Sequence, residues 1–202
     1  MGLRQITAYL GITSVLIFGI TLVIIANLTP EFSYLEDYVS KLGAQGQPYA
    51  MWWNLIGFLL VGTLLTGFGL FYGQVIKDLW VGIFLALFGV GFAATALPID
   101  LAVSESAFSK AHVVAICLGL AGWMFGLARM AQSKRLGKSV RYSANIAATL
   151  VVLPIFGFAA GLWSMPVTHR LVFAVVFGWV AFTSVGLLAN SDHTKDLIAV
   201  PD

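Results

Sequence analysis

Six apolar stretches dominate the pattern of residues along the chain. Each has about 20 mostly apolar residues, the length that an α-helix needs to cross the hydrocarbon core of a bilayer, and none carries a charge in its central part. The pattern predicts an all-α, polytopic membrane protein whose six transmembrane helices form one bundle at residues 1–189. We place the spans near 6–28, 51–72, 79–97, 112–131, 145–162 and 171–189, followed by a tail at 190–202.

The composition excludes the main alternatives to a membrane protein. The 202 residues are 59% hydrophobic and only 10% charged, whereas a soluble domain carries about 25% charged residues. This comparison excludes a soluble globular enzyme and a disordered chain. The one cysteine of the chain, Cys117, excludes a disulfide framework and a cysteine-rich metal site.

Basic residues are distributed unequally between the two sides of the predicted bundle. Three lie on the side of the long first loop, at Lys41, Lys110 and Arg170, and the other eight lie opposite: Arg4, Lys77, Arg129, Lys134, Arg135, Lys138, Arg141 and Lys195. By the positive-inside rule the second side is cytoplasmic, so both termini are predicted to be cytoplasmic. The net charge of +2 reflects this topology, and nucleic acid is not a predicted partner.

The first outer loop has a pattern of its own. Apolar residues recur at helical spacing between positions 30 and 42, with polar residues opposite them, and Asp37 and Lys41 stand at the i,i+4 spacing of an ion pair. We therefore predict a short amphipathic helix over 30–42 that lies on the outer surface of the membrane. Its apolar face would consist of Phe32, Leu35, Val39 and Leu42.

Polar residues at the outer ends of the spans are the candidate functional residues. In a six-helix bundle these ends can converge on one outward-facing pocket. Asp100 and His112 form the candidate pair, since a carboxylate beside an imidazole orients it and raises its basicity. Ser40 is a candidate nucleophile with His112 as its base. The proposed catalytic residues are thus Asp100, His112 and Ser40, and the proposed ligand-binding residues are Lys41, Asn54, His169 and Arg170.

A simpler interpretation of the same residues is a hydrated loop whose polar side chains tolerate the interface. No H-x-x-x-H or H-E-x-x-H spacing is present, so no metal site is predicted, and the sequence identifies no cofactor.

Several short motifs resemble those of the DUF998 family of six-helix bacterial and archaeal membrane proteins. They are the stretch YLEDYVSKLG at 34–43 with the small-residue and proline turn after it, Pro98-x-Asp100, and the positions Asn54, His112 and Arg170. The resemblance implies the six-helix fold, a prokaryotic inner membrane and functional positions at Ser40, Asn54, Asp100, His112 and Arg170. It implies no activity, because the family is named for an unknown function.

Two functions remain open at this point. In the first, the outward-facing pocket binds or acts on a membrane lipid or another amphiphile. In the second, the chain is a non-catalytic accessory or structural subunit that docks a membrane-protein partner through the surface helix. The sequence leaves open whether the chain is an enzyme.

Overall fold

The computed structural model of the protein describes residues 1–103 and 106–189. Within these ranges the fold is all helical and confirms the polytopic bundle. The long helices are α1 (Leu3–Leu28), α2 (Ala50–Val75), α3 (Leu79–Ala94), α4 (Ala107–Gln132), α5 (Lys138–Ala159) and α6 (Met165–Ala189). The predicted tail at 190–202, with Lys195, lies outside the described residues.

Five of these helices are long and apolar enough to cross a membrane, so the protein is a multi-pass membrane protein. The exception is α3, which is equally apolar but only 16 residues long. Successive helices run in opposite directions and give the bundle two ends. The loop end carries segments 29–49, 95–103 and 160–164, and the terminal end carries residues 1–2, 76–78 and 133–137.

Glycines bring α2, α3 and α4 into direct backbone contact. A Cβ atom at Gly62 of α2 would overlap the backbone of Ala93 in α3, and one at Gly91 of α3 would overlap the backbone near Gly119 of α4. Helices in a membrane associate largely through such close packing, because lipid tails compete with any apolar side chain. These three helices therefore form a tightly packed layer.

An aromatic cluster fills the loop half of the bundle. Phe18 of α1 stacks on Phe177 of α6 with ring centroids 4.4 Å apart, and its edge meets the rings of Trp53 and Phe92. Trp53 begins a π-helical stretch of α2, Trp53–Leu60, of the kind often found near functional sites. The cluster forms the floor beneath the first loop.

The predicted surface helix at 30–42 is wrong in extent. The structure has only a short 3₁₀ helix, Val39–Gly43, preceded by turns. The carboxylate of Asp37 accepts the backbone N–H of Ser33 at 2.8 Å, and the hydroxyl of Ser33 accepts the backbone N–H of Leu35. Such local hydrogen bonds offer the backbone an alternative to helical ones, which accounts for the shorter helix.

The predicted apolar face of this segment is buried only in part. Val39 and Leu42 pack into the core, whereas Leu35 is 70% exposed. The predicted ion pair between Asp37 and Lys41 is confirmed, with Nζ and Oδ2 2.8 Å apart.

The turn between α5 and α6 is tied back onto α5. The indole N–H of Trp163 donates to the carbonyl of Pro154 at 3.1 Å, and its ring lies against Gly157, where a Cβ atom would overlap it. The loop-end half of α5 and the start of α6 are thereby joined into one hairpin.

Candidate functional site

A cavity of about 700 Å³ lies at the loop end between α4, α5 and α6. The first loop and the segment after α3 close it from above, and Phe58 of α2 contributes to its wall. Two hydrogen bonds hold these segments in place. The N–H of Gln45 in the first loop donates to the carbonyl of Ile99 after α3 at 2.9 Å, and the hydroxyl of Ser164 donates to the carbonyl of Leu35 in the first loop at 3.2 Å.

The cavity opens sideways rather than only at the end of the bundle. Val113 of α4 and Ile155 of α5 both line it, and they are 58% and 49% exposed. Both residues lie in helices that are long and apolar enough to cross a membrane. The remaining wall between them is also apolar and includes Ile116, Leu120 and Phe158.

His112 is a buried polar side chain that lines the cavity from α4. It is 9% exposed, its ring lies edge-on to Phe58 with centroids 5.9 Å apart, and it sits beside the backbone carbonyls of Thr95 and Leu97. Its Nδ1 atom is buried and has no hydrogen-bond partner among the described residues. His112 nevertheless lines the cavity, so other atoms of its ring are available to a ligand there.

His169 and Ser40 also line the cavity, as the sequence predicts for a shared pocket. The ring of His169 lies 5.2 Å from that of Tyr38, which comes from the first loop, and it is more exposed than His112. The structure thus brings four of the predicted residues to one cavity: Ser40, Asp100, His112 and His169.

The predicted pairing of Asp100 with His112 is not formed. In the described part of the chain no hydrogen bond or ion pair joins them, and the Asp100 carboxylate instead accepts the backbone N–H groups of Ala102 and Val103 at 2.9 and 3.1 Å. Both bonds are made to Oδ1, so one oxygen of the carboxylate is engaged by its own turn rather than by His112.

Lys41 and Arg170 do not line the cavity but form a charged group with Asp37 above it. The Arg170 guanidinium lies 5.8 Å from the centroid of the Phe32 ring and donates to the carbonyl of Pro166 at 3.2 Å. Desolvation raises the pKa of Asp37, but the hydrogen bonds from Lys41 and the Ser33 backbone and the positive charges of Lys41 and Arg170 outweigh it, so the pKa is lowered overall.

Asn54 has a structural contact rather than a place in the cavity wall. Its Nδ2 donates to the carbonyl of Gly43 at 2.9 Å, and both residues are buried. Asn54 therefore anchors the 3₁₀ helix of the first loop to the π-helical part of α2.

Other lining residues were not predicted from the sequence. They include Thr95, Thr168, Ser109 and Cys117, together with the apolar wall. One signal was available: His112, Ile116 and Leu120 recur at i, i+4 and i+8 and so share a face of α4. Among the described residues, no group of three or more His, Cys, Asp or Glu side chains is placed to hold a metal ion.

The bundle and its apolar helices define a polytopic helical membrane protein with a cavity at its loop end. A family model described as "Protein of unknown function (DUF998)" matches residues 12–189. The chain belongs to this family, which confirms the resemblance seen in its motifs. No curated protein and no solved structure matches the chain.

Proposed function

We propose that the protein binds an amphiphile whose apolar chain enters the cavity from the lipid between α4 and α5. The headgroup would carry no net negative charge and would be able to form hydrogen bonds. The observation that carries the proposal is a mostly apolar cavity, lined by the buried residue His112, whose wall includes exposed residues of two membrane-crossing helices, Val113 and Ile155.

The size and lining of the cavity support this ligand class. A volume of about 700 Å³ falls in the range of small-molecule pockets, roughly 300–1,000 Å³. Such pockets are mostly apolar with a few placed polar groups. Here the polar groups include two imidazoles, the Asp100 carboxylate and the hydroxyls of Ser40, Thr95 and Thr168.

The positions of the basic residues disfavour an anionic headgroup. Lys41 is engaged by Asp37, and Arg170 packs on Phe32 outside the cavity wall. A phosphate in the cavity would lose its hydration without meeting either cation, which is costly. Binding rather than catalysis is proposed, because Ser40, Asp100 and His112 line one cavity but no hydrogen bond links them in the described ranges.

The orientation follows from the basic residues. Seven of those described lie at the terminal end and three at the loop end, counted from the described helices and loops. The positive-inside rule then supports a cytoplasmic terminal end, with the cavity in the opposite leaflet of the cell membrane.

Two neighbouring residues of α4 provide a matched test of the proposal. Cys117 lines the cavity, whereas Leu118 is 67% exposed on the same helix and does not line it. We expect Cys117→Trp to fill the cavity and Leu118→Trp to project into lipid. Native mass spectrometry of protein extracted gently from its membrane should show an amphiphile bound to the wild type and to Leu118→Trp, and its loss from Cys117→Trp.

His112→Ala tests the headgroup contact in the same measurement. We expect about a tenfold lower occupancy, the effect of losing one hydrogen bond worth about 1.4 kcal/mol. A wild-type protein without any bound amphiphile, or equal occupancy in the two tryptophan variants, would refute the proposal. If instead a second protein co-purified and Leu35→Glu released it, the accessory-subunit function would be supported.

A further inference from the structure

A second groove, of about 730 Å³, lies at the opposite, terminal end of the bundle. It runs between α3 and α4 and beneath the segment at 133–137. Basic side chains line its upper part, and the rings of Phe84 and Phe125 line its lower part. None of these residues belongs to the cavity described above.

Arg129 is held in a fixed orientation at the centre of the groove. Its Nε donates to both carboxylate oxygens of Asp78, at 2.8 and 2.9 Å, while Asp78 also caps α3 by accepting the backbone N–H groups of Trp80 and Val81. The Arg129 side chain is still 46% exposed. Its terminal amino groups therefore stay available to an anion, the geometry in which guanidinium best recognises phosphate.

Two further cations flank Arg129. Lys134 and Arg135 both line the groove and both are exposed. With three cations and one carboxylate, the groove carries a net charge of +2. This excess charge is complementary to an anionic group and is not neutralised by the one acidic residue that lines the groove.

The lower part of the groove provides an apolar continuation within the membrane. Phe125 lies one helical turn from Arg129, is 63% exposed, and has its ring centroid 5.9 Å from that of Phe84. Both rings belong to apolar helices of the bundle. A ligand held by the cations would thus extend its apolar part over these rings and remain in the bilayer.

We infer that this groove binds an anionic phospholipid. The headgroup phosphate meets Arg129, Lys134 and Arg135, and one acyl chain lies over Phe84 and Phe125. A soluble phosphate compound would satisfy the cations but leave the aromatic part of the groove unused.

The test uses two double variants that remove the same charge from the same end of the protein. Lys134→Gln/Arg135→Gln alters the groove, and Lys77→Gln/Lys138→Gln alters cations that do not line it. Each protein is equilibrated with equal amounts of phosphatidylglycerol and phosphatidylcholine of identical chains, and the bound lipid is measured by native mass spectrometry.

We expect the wild type to retain phosphatidylglycerol in preference to phosphatidylcholine. In the groove variant this preference should be roughly 20-fold smaller, because each basic residue near an anionic surface contributes about a factor of five. The control variant should keep most of it. Equal losses in both variants would show diffuse attraction by the whole basic end, and an absent preference in the wild type would overturn the inference.

The apolar part is tested separately. Phe125→Ala should shorten the retention of phosphatidylglycerol, whereas Leu118→Ala, an exposed position on the same helix outside the groove, should not. Inorganic phosphate should compete only weakly. Displacement of the lipid by equimolar phosphate, or no effect of Phe125→Ala, would show that the acyl chain does not bind here.

Discussion

The contact between Asn54 and Gly43 allows a quantitative test of how the first loop is held over the cavity. The Asn54 amide donates to the carbonyl of Gly43 at 2.9 Å, and a Cβ atom at Gly43 would overlap the Asn54 amide oxygen. The carbonyl of Gly43 depends on Asn54 for a hydrogen bond, and the side chain of Asn54 depends on the missing Cβ atom at Gly43 for space. Replacing either by alanine should destabilise the protein, but for different reasons.

The magnitudes follow from these two contacts. Asn54→Ala leaves a buried carbonyl without its partner, which costs about 2 kcal/mol of the free energy of unfolding. Gly43→Ala forces a methyl group into the amide, which costs about 2 kcal/mol by overpacking. In the double variant the shorter side chain at position 54 leaves room for that methyl group, although the Trp53 ring remains 2.9 Å from it. We therefore expect the double variant to lose about 2.5 kcal/mol of the free energy of unfolding, whereas the sum of the two single losses is about 4 kcal/mol.

The assay is reversible unfolding of the four proteins in mixed detergent micelles, followed by tryptophan fluorescence. Hydrogen exchange at residues 39–49 should also rise in both single variants, because the loop loses its anchor or is displaced from it. Independent sites add to within about 0.5 kcal/mol. A double variant that reached the additive value would refute the argument that the two residues compete for the same space.

Two further predictions concern helix packing and pH. Gly62→Ala should lower the free energy of unfolding by at least about 2 kcal/mol, because its Cβ atom would meet the backbone of Ala93. Gly178→Ala has open space around its Cβ position and should be neutral or stabilising by up to about 1 kcal/mol. The same unfolding assay compares the two variants. The pKa of Asp37 lies below its ordinary value of 3.8, so its stabilising contribution is complete above that pH and is lost as the pH falls through the lowered pKa. The protection of the first loop against hydrogen exchange, measured relative to the intrinsic rate at each pH, should fall below about pH 4, and Asp37→Asn should show the lower protection already at neutral pH.

The bundle was predictable from the sequence because hydrophobic length is a strong constraint on a membrane helix. Each predicted span overlaps a helix, and the largest differences are at the helix starts. There α5 begins at Lys138 rather than near 145, α6 at Met165 rather than near 171, and α4 at Ala107 rather than near 112. Polar residues there continue the helix beyond the apolar stretch, and hydropathy does not detect them.

The first loop shows why local polar residues are harder to interpret. The spacing of Phe32, Leu35, Val39 and Leu42 is helical, yet helical structure begins only at Val39. Side-chain bonds of Ser33 and Asp37 to the backbone compete with a helix over a few residues, and the sequence alone does not decide that competition.

The candidate site could be predicted from the sequence only in part. The convergence of Ser40, Asp100, His112 and His169 follows from topology, because span ends on one side must come together. The separation of Asp100 from His112 depends on a short turn after α3, and the exclusion of Arg170 depends on one aromatic ring. Neither contact has a sequence spacing that reveals it.

The bond between Trp163 and Pro154 divides the bundle mechanically. It ties the turn before α6 to the loop-end half of α5, while glycine contacts join the backbones of α2, α3 and α4. The exposed part of the cavity wall lies between these two parts, at α4 and α5. We therefore expect a ligand of larger cross-section to be admitted by a small displacement of α5 together with its turn, without loss of the Trp163–Pro154 hydrogen bond.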